Sequence, residues 1–141
     1  MTTIEINLGK FNDIDADVIK RIIKETLEYL KKLIIIKRET DIILSVALVS
    51  NDRIAELNKQ YRKKDASTDV LSFCYENDDA KLEGEIVLAP EVIKENARKD
   101  QIEFQEELKK NIIHSVLHII GYEHGDEMFD LQEKIFNKIL K

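Results

Sequence analysis

The chain has 141 residues and a net charge of −6 at pH 7, which excludes a protein that coats nucleic acid through bulk positive charge but not an enzyme with a local basic patch. The length suits one domain, no apolar run approaches the roughly 18 residues that span a bilayer, and the N-terminus lacks a signal-peptide layout. The single cysteine excludes an internal disulfide, so we expect a protein of the reducing cytoplasm.

The N-terminal half predicts two strands and two helices. Alternating apolar and polar residues from Thr3 to Leu8 indicate a half-buried strand. A nearly continuous apolar run from Ile42 to Val49 favours an inner strand, and Ser50 is a plausible N-cap of a short helix ending near Tyr61. Helical spacing predicts an amphipathic helix between the two strands, with the apolar face Ile19, Ile22, Ile23, Leu27 and Leu30.

The C-terminal half predicts two more strands, Val70 to Tyr75 and Gly84 to Ala89, followed by three helices. Pro90 suits the first turn of a helix over about 90–99, and a second helix covers about 104–120. Gly121 stands where a helix end needs a left-handed residue, and a last helix runs from about Glu127 to Leu140. The sum is an α+β domain with a small mixed sheet of about four strands covered by about five helices.

All three histidines of the chain fall within eleven residues, as His114, His118 and His124. On a helix, His114 and His118 lie on one face, so two ring nitrogens can reach one metal ion at about 2.0–2.1 Å. Gly121 permits a reversal that brings His124 back as a third ligand. Three imidazoles leave a coordination position open, as in catalytic sites, and predict a metal site at the end of this helix. Zinc is the first expectation, although nickel, copper or iron could bind the same ligands.

The histidine spacing also matches the zinc-binding stretch of metzincin proteases. Those proteases carry a glutamate after the first histidine, which serves as general base, and here that position is Ser115. A serine is no base of comparable strength near pH 7. The pattern therefore indicates a metal-dependent hydrolase that is not a peptidase of this type.

A basic patch precedes the third predicted strand and contains Lys59, Arg62, Lys63 and Lys64, with Tyr61 among them. A guanidinium fork suits a phosphodiester, and an aromatic ring can stack on a base, so these five residues are candidates for RNA binding. For the lysines alone, a solvated helix end that stabilises the helix dipole is the favoured explanation.

Three segments together resemble the YbeY-type endoribonuclease family of bacteria, over roughly Ile42 to Leu140. They are Asn58 to Phe73, the stretch Gly84-Glu-Ile-Val, and the segment from His114 to His124. The resemblance implies one domain over residues 1–141 that acts as a metal-dependent endoribonuclease specific for single strands. It implies maturation of the 3′ end of 16S ribosomal RNA and late ribosome quality control, with the ribosome or small-subunit proteins as further partners. It also implies zinc on the three histidines and a functional, catalytic role for Arg62 alongside His114.

The chain departs from the family pattern at a few positions. Cys74 replaces a proline, Ser115 replaces a glycine, and Glu85 and Glu123 each replace an aspartate. None of these changes removes a metal ligand, and the roles of Glu85 and Glu123 stay open. Cys74 is best explained as a small apolar residue in or just after a strand. Asp69 could orient a histidine or cap a turn beside Thr68.

Two other functions are compatible with the same residues. One is a metal-dependent hydrolase of a peptide, an amide or a small phosphoester. The other is a non-catalytic ribosome assembly factor in which the metal braces the C-terminal helices. The missing glutamate at Ser115 weighs against the peptidase version.

Overall fold

The computed structural model describes residues 1–64 and 67–139, and these form one small α+β domain. The predicted fold class is confirmed, whereas the predicted end of the last helix at Leu140 lies outside the described residues. In chain order the elements are β1 (Thr2–Asn7), α1 (Ala16–Lys32), β2 (Asp41–Leu48), α2 (Asn51–Arg62), β3 (Val70–Asn77), β4 (Lys81–Leu88), α3 (Pro90–Asp100), α4 (Phe104–Ile119) and α5 (Asp126–Lys138).

The four strands form one mixed sheet in the order β1-β2-β4-β3. Strand β2 runs parallel to both β1 and β4, whereas β3 pairs antiparallel with β4 as a hairpin. Because β3 comes last in this order, it is an edge strand of the described sheet, paired with β4 alone. The hairpin is longer than predicted because Asp78 Oδ1 accepts hydrogen bonds from the backbone of Ala80 and Lys81, both at 2.8 Å, and closes the turn tightly.

The main core lies between the sheet and the helices α1, α4 and α5. Alternate residues of β2 and β4 supply its sheet side, among them Leu44, Val46 and Ile86, which are at most 2% exposed. A second, smaller cluster formed by Ile54, Leu71, Val87 and Ala89 joins α2 to the opposite face. Within the described ranges, no helix is both long enough and apolar enough to cross a bilayer.

The local sequence explains where α2 and α3 begin. Ser50 Oγ accepts a hydrogen bond from the backbone N–H of Arg53 at 3.3 Å, so the predicted N-cap of α2 is confirmed. Pro90 occupies the first turn of α3, where its missing N–H has no helical partner to lose.

Gly84 sets the distance between α4 and the sheet. A Cβ atom at this position would lie 2.8 Å from Ile119 Cγ2 and 2.8 Å from the carbonyl oxygen of Phe73. The last turn of α4 therefore sits directly on β4, with His118 in the same turn.

We expect Gly84→Ala to destabilise the fold by about 1–3 kcal/mol, because the added methyl group must displace the helix or the β3 backbone. Denaturant unfolding measures this loss. Gly125→Ala is the matched control, since nothing lies within 4 Å of a Cβ there and its φ of 161° is extended backbone. Equal unfolding midpoints for the two variants would contradict the close approach.

Candidate metal centre and its cleft

Two imidazoles project from consecutive turns of α4 toward one point. The Nε2 atoms of His114 and His118 lie 3.0 Å apart, and the two rings stand nearly perpendicular, at 87°. Helical spacing brings them together, since residues four apart share a face.

The partners of the other ring nitrogens fix which nitrogen carries the proton. His114 Nδ1 donates to Gln132 Oε1 at 2.8 Å, and His118 Nδ1 donates to the carbonyl oxygen of Tyr122 at 3.0 Å. Both acceptors are oxygens without a proton to give, so in each neutral ring the lone pair is on Nε2. Two lone pairs therefore face each other at 3.0 Å, an arrangement that a cation between them stabilises.

The C-terminal end of α4 reverses the chain and brings the third imidazole next to the other two. Gly121 has φ +106° and donates to the carbonyl of His118 at 3.0 Å, while Tyr122 donates to that of Leu117 at 3.0 Å. This pair of bonds is the Schellman ending, which reverses the chain. His124 consequently lies with its ring centroid 5.2 Å from that of His114 and 4.7 Å from that of His118.

The three rings fit a divalent transition metal. One ligand nitrogen from each ring lies within 4.8 Å of the other two, so the three nitrogens are near enough to share one ion. Burial lowers the pKa of the His118 imidazole below its usual value, and the neighbouring His114 ring adds to this effect. The neutral form, which binds metals, is thereby favoured. The expected convergence of the histidines is present in the described structure.

The histidines lie in a cleft of about 990 Å³ between α4 on one side and the end of α2 with β3 on the other. Arg62 and Lys64 line the wall opposite the histidines. Arg62 Nη2 donates to the carbonyl oxygen of Ser72 at 2.6 Å, and its guanidinium carbon lies 5.7 Å from the centroid of the Phe73 ring. These two contacts hold the exposed guanidinium in the lining of the cleft.

The remaining residues of the predicted basic patch lie beside the cleft. Tyr61 is 57% exposed and packs edge-on against Phe73, with ring centroids 5.4 Å apart. Lys59 and Lys63 are exposed at the same end of α2, outside the lining of the cleft as far as the described residues show. The structure thus brings Arg62 and Lys64 together with the histidines and leaves the other three residues on the adjoining surface.

The structure shows the contacts or the exposure of four residues whose roles the sequence left open. Asp69 lines the cleft, and its carboxylate accepts from Thr68 at 3.4 Å and from Asn96 at 3.5 Å, so it acts in a turn rather than on a histidine. Cys74 lies in β3 as expected, but it is exposed and lines the cleft. Glu85 accepts from the Tyr75 hydroxyl at 2.7 Å and raises the pKa of Tyr75 to about 12. Glu123 is an exposed residue of the cleft lining.

Gln132 is a candidate site residue that the sequence alone did not single out. It is 8% exposed on α5 and orients His114 through the hydrogen bond to Nδ1. A signal was available, because Gln132 interrupts the apolar stripe of α5 between Met128 and Ile135. A polar side chain on a buried stripe requires a partner, and here the partner is one of the three clustered imidazoles.

Comparison with known proteins gives consistent matches over most of the chain. The family model described as Endoribonuclease YbeY matches residues 4–140. A Thermotoga petrophila protein named Endoribonuclease YbeY is 39% identical over 137 residues, which cover 93% of this chain and 84% of the relative. A Sulfurihydrogenibium protein of the same name is 32% identical over 132 residues, covering 87% and 85% of the two chains.

A solved structure has the same fold. The solution structure of a Thermotoga maritima protein superposes with a TM-score of 0.62 at 33% sequence identity. The match covers 97% of this chain and 87% of the other.

We expect Gln132→Leu to weaken metal binding by about 10- to 100-fold, because His114 loses the acceptor that fixes its tautomer and ring orientation. Competition with a chromophoric chelator measures the affinity. Gln105→Leu, an exposed glutamine in the first turn of α4, is the control and should bind metal as the wild type does. Unchanged affinity in Gln132→Leu would show that the 2.8 Å contact does not support the centre.

Proposed function

This chain belongs to the endoribonuclease YbeY family, and we propose that it hydrolyses phosphodiester bonds of single-stranded RNA at the three-histidine centre. The observation that carries the proposal is the meeting of three imidazoles and one anchored guanidinium in a single cleft. We further propose that His114, His118 and His124 hold one zinc ion, since three imidazoles in a compact cluster suit its tetrahedral preference.

The metal and the chain have separate tasks. A zinc ion bound here would lower the pKa of a water ligand toward about 7 and polarise a phosphoryl oxygen. Gln132 and the Tyr122 carbonyl keep the Nδ1 protons of His114 and His118 in place, so that both Nε2 lone pairs stay available. Three protein ligands leave a coordination position for water or substrate.

Arg62 supplies positive charge on the opposite wall. Its guanidinium carries five N–H donors and uses one on the Ser72 carbonyl, which leaves donors for phosphate oxygens. Because Ser72 and Phe73 fix the side chain beforehand, little reorganisation is needed when charge develops on the phosphate. Lys64, also in the lining, supports phosphate binding, while Lys59, Lys63 and Tyr61 are proposed to contact RNA beyond the cleft.

Ribosomal RNA is the proposed substrate, with action in the cytoplasm at the 3′ end of 16S ribosomal RNA and in late ribosome quality control. An rRNA-processing role is typical of the family. Contacts with the ribosome or small-subunit proteins belong to the same proposal. The acidic chain, at net charge −6, is suited to local binding of RNA at the cleft rather than to coating it.

Neither alternative function is supported as well. At the position where a peptidase carries its general base, the Ser115 side chain is fully buried and its hydroxyl has no hydrogen-bond partner among the described residues. A metal that only braced helices would be closed by a fourth protein ligand and would not need a guanidinium across an open cleft.

We expect Arg62→Ala to lower the rate of cleavage of single-stranded RNA by about 10²- to 10³-fold, the usual effect of removing one preorganised transition-state donor. The metal content should stay at the wild-type level, because Arg62 lies on another element. Arg53→Ala, in the first turn of the same helix and paired with Glu56, should retain full activity. Equal activity of wild type, Arg62→Ala and His114→Ala would mean that the measured cleavage comes from a contaminant.

Metal analysis of the purified protein should find about one zinc ion per chain, and His118→Ala should lose it because two ligands alone bind weakly. Chelation should abolish cleavage, and stoichiometric zinc should restore it. Another metal at the same stoichiometry, with activity restored by that metal alone, would refute the zinc assignment but not the site.

A further inference from the structure

The cleft continues beyond the metal centre along the same face of α4. Residues Glu107, Asn111, His114 and His118 follow one another at helical spacings of four, three and four, and all of them line the cleft. Before the first of the clustered histidines, this face therefore carries an amide at a distance of one turn and a carboxylate at a distance of two turns.

Glu107 is an unusual member of this face. It is 4% exposed, and its Oε1 atom is buried without a hydrogen-bond partner in the described structure. Asn111 Nδ2 donates to Glu107 Oε2 at 3.2 Å and to the Glu107 backbone carbonyl at 3.0 Å, which holds the carboxyl group in place. Burying an acidic group with an unused oxygen costs stability, and a ligand with a hydrogen-bond donor would offset that cost.

The distance from the metal centre limits what Glu107 does. Seven residues of helix separate it from His114, or about 10.5 Å along the axis. A water molecule on a metal held by the histidines lies within about 2 Å of that metal, so Glu107 is too distant to take its proton directly. Its partner is therefore a part of the substrate away from the bond that is cleaved.

Electrostatic repulsion excludes the phosphate groups of the RNA as the partner of Glu107. A carboxylate repels phosphate oxygens, which already have Arg62, Lys64 and the metal centre on this cleft. The remaining donors of single-stranded RNA include the exocyclic amino groups of adenine, guanine and cytosine, which carboxylates accept in base recognition. Uracil has a carbonyl oxygen in place of the amino group of cytosine, and a carboxylate would repel it.

We propose that Glu107, held by Asn111, is a nucleobase subsite that accepts a hydrogen bond from the exocyclic amino group of a base near the scissile phosphate. The inference rests on the proposed function and adds a specificity to it. The endonuclease then favours cleavage beside an amino-bearing base, at a fixed distance in nucleotides from the cut.

The test removes single amino groups from the substrate. Single-stranded oligonucleotides of one sequence carry inosine in place of guanosine, or purine riboside in place of adenosine, at one position at a time. For the wild type we expect kcat/KM to fall by about tenfold at one position and to change little elsewhere. In Glu107→Gln, the Asn111 donor would hold the amide oxygen, so the amide nitrogen, itself a donor, would face the base. This variant should cleave the amino-bearing substrate as slowly as the amino-free one, which brings the ratio at that position close to one. Asn111→Ala should reduce the same ratio.

Three controls separate the outcomes. Glu106→Gln, an exposed neighbour in the same helical turn, should keep the wild-type ratio. The zinc content and melting temperature of Glu107→Gln should match those of the wild type. Equilibrium binding of 2′-deoxy versions of the oligonucleotides, measured by fluorescence anisotropy, tests the same preference without cleavage, so an inactive protein would refute the proposed function while still testing the subsite.

Two results would overturn the inference. One is a wild-type ratio near one at every position, in both cleavage and binding. The other is a Glu107→Gln variant that keeps the base preference but needs more Mg²⁺ for activity, which would make the carboxylate a cation ligand instead.

Discussion

The candidate metal centre depends on two imidazole lone pairs that face each other. Each Nδ1 proton is committed to an oxygen, Gln132 Oε1 for His114 and the Tyr122 carbonyl for His118, so both Nε2 atoms present electron density at a separation of 3.0 Å. Without a cation this arrangement is electrostatically unfavourable, and the rest of the domain holds it in place. The packing of α5 on α4 and the helix ending at Gly121 are best understood as the means by which the fold maintains it.

Much of the fold follows from local patterns. The apolar periodicities, the N-cap at Ser50 and Pro90 at the start of α3 define most elements within one or two residues of those observed, since each depends on neighbours in the chain. The exception is β4, which begins at Lys81, three residues before the predicted Gly84. The histidine spacing likewise predicts a shared point because helix geometry is nearly invariant. These features require no knowledge of tertiary structure.

Other features depend on contacts between distant segments and could not be predicted in this way. Glu107 looks like a favourable acidic residue in the first turn of α4, and tertiary packing alone makes it buried. Cys74 has the composition of a core residue, but it lies exposed in the lining of the cleft. The anchor of Arg62 on the Ser72 carbonyl joins residues ten apart and depends on where β3 begins relative to the end of α2.

An ion bound at His124 would also stabilise the short segment that connects this residue to the end of α4. Two backbone hydrogen bonds, from Gly121 and Tyr122, hold this exposed connection, and a shared ion would fasten its far end to the helix. Since a site assembled from three imidazoles exists in the native chain and not in the unfolded one, free ion at 100 times its dissociation constant adds about 2.7 kcal/mol of stability. With an ion at this site, resistance to cellular proteases would depend on the supply of the ion, because the ion-free protein would be less stable and would unfold more often.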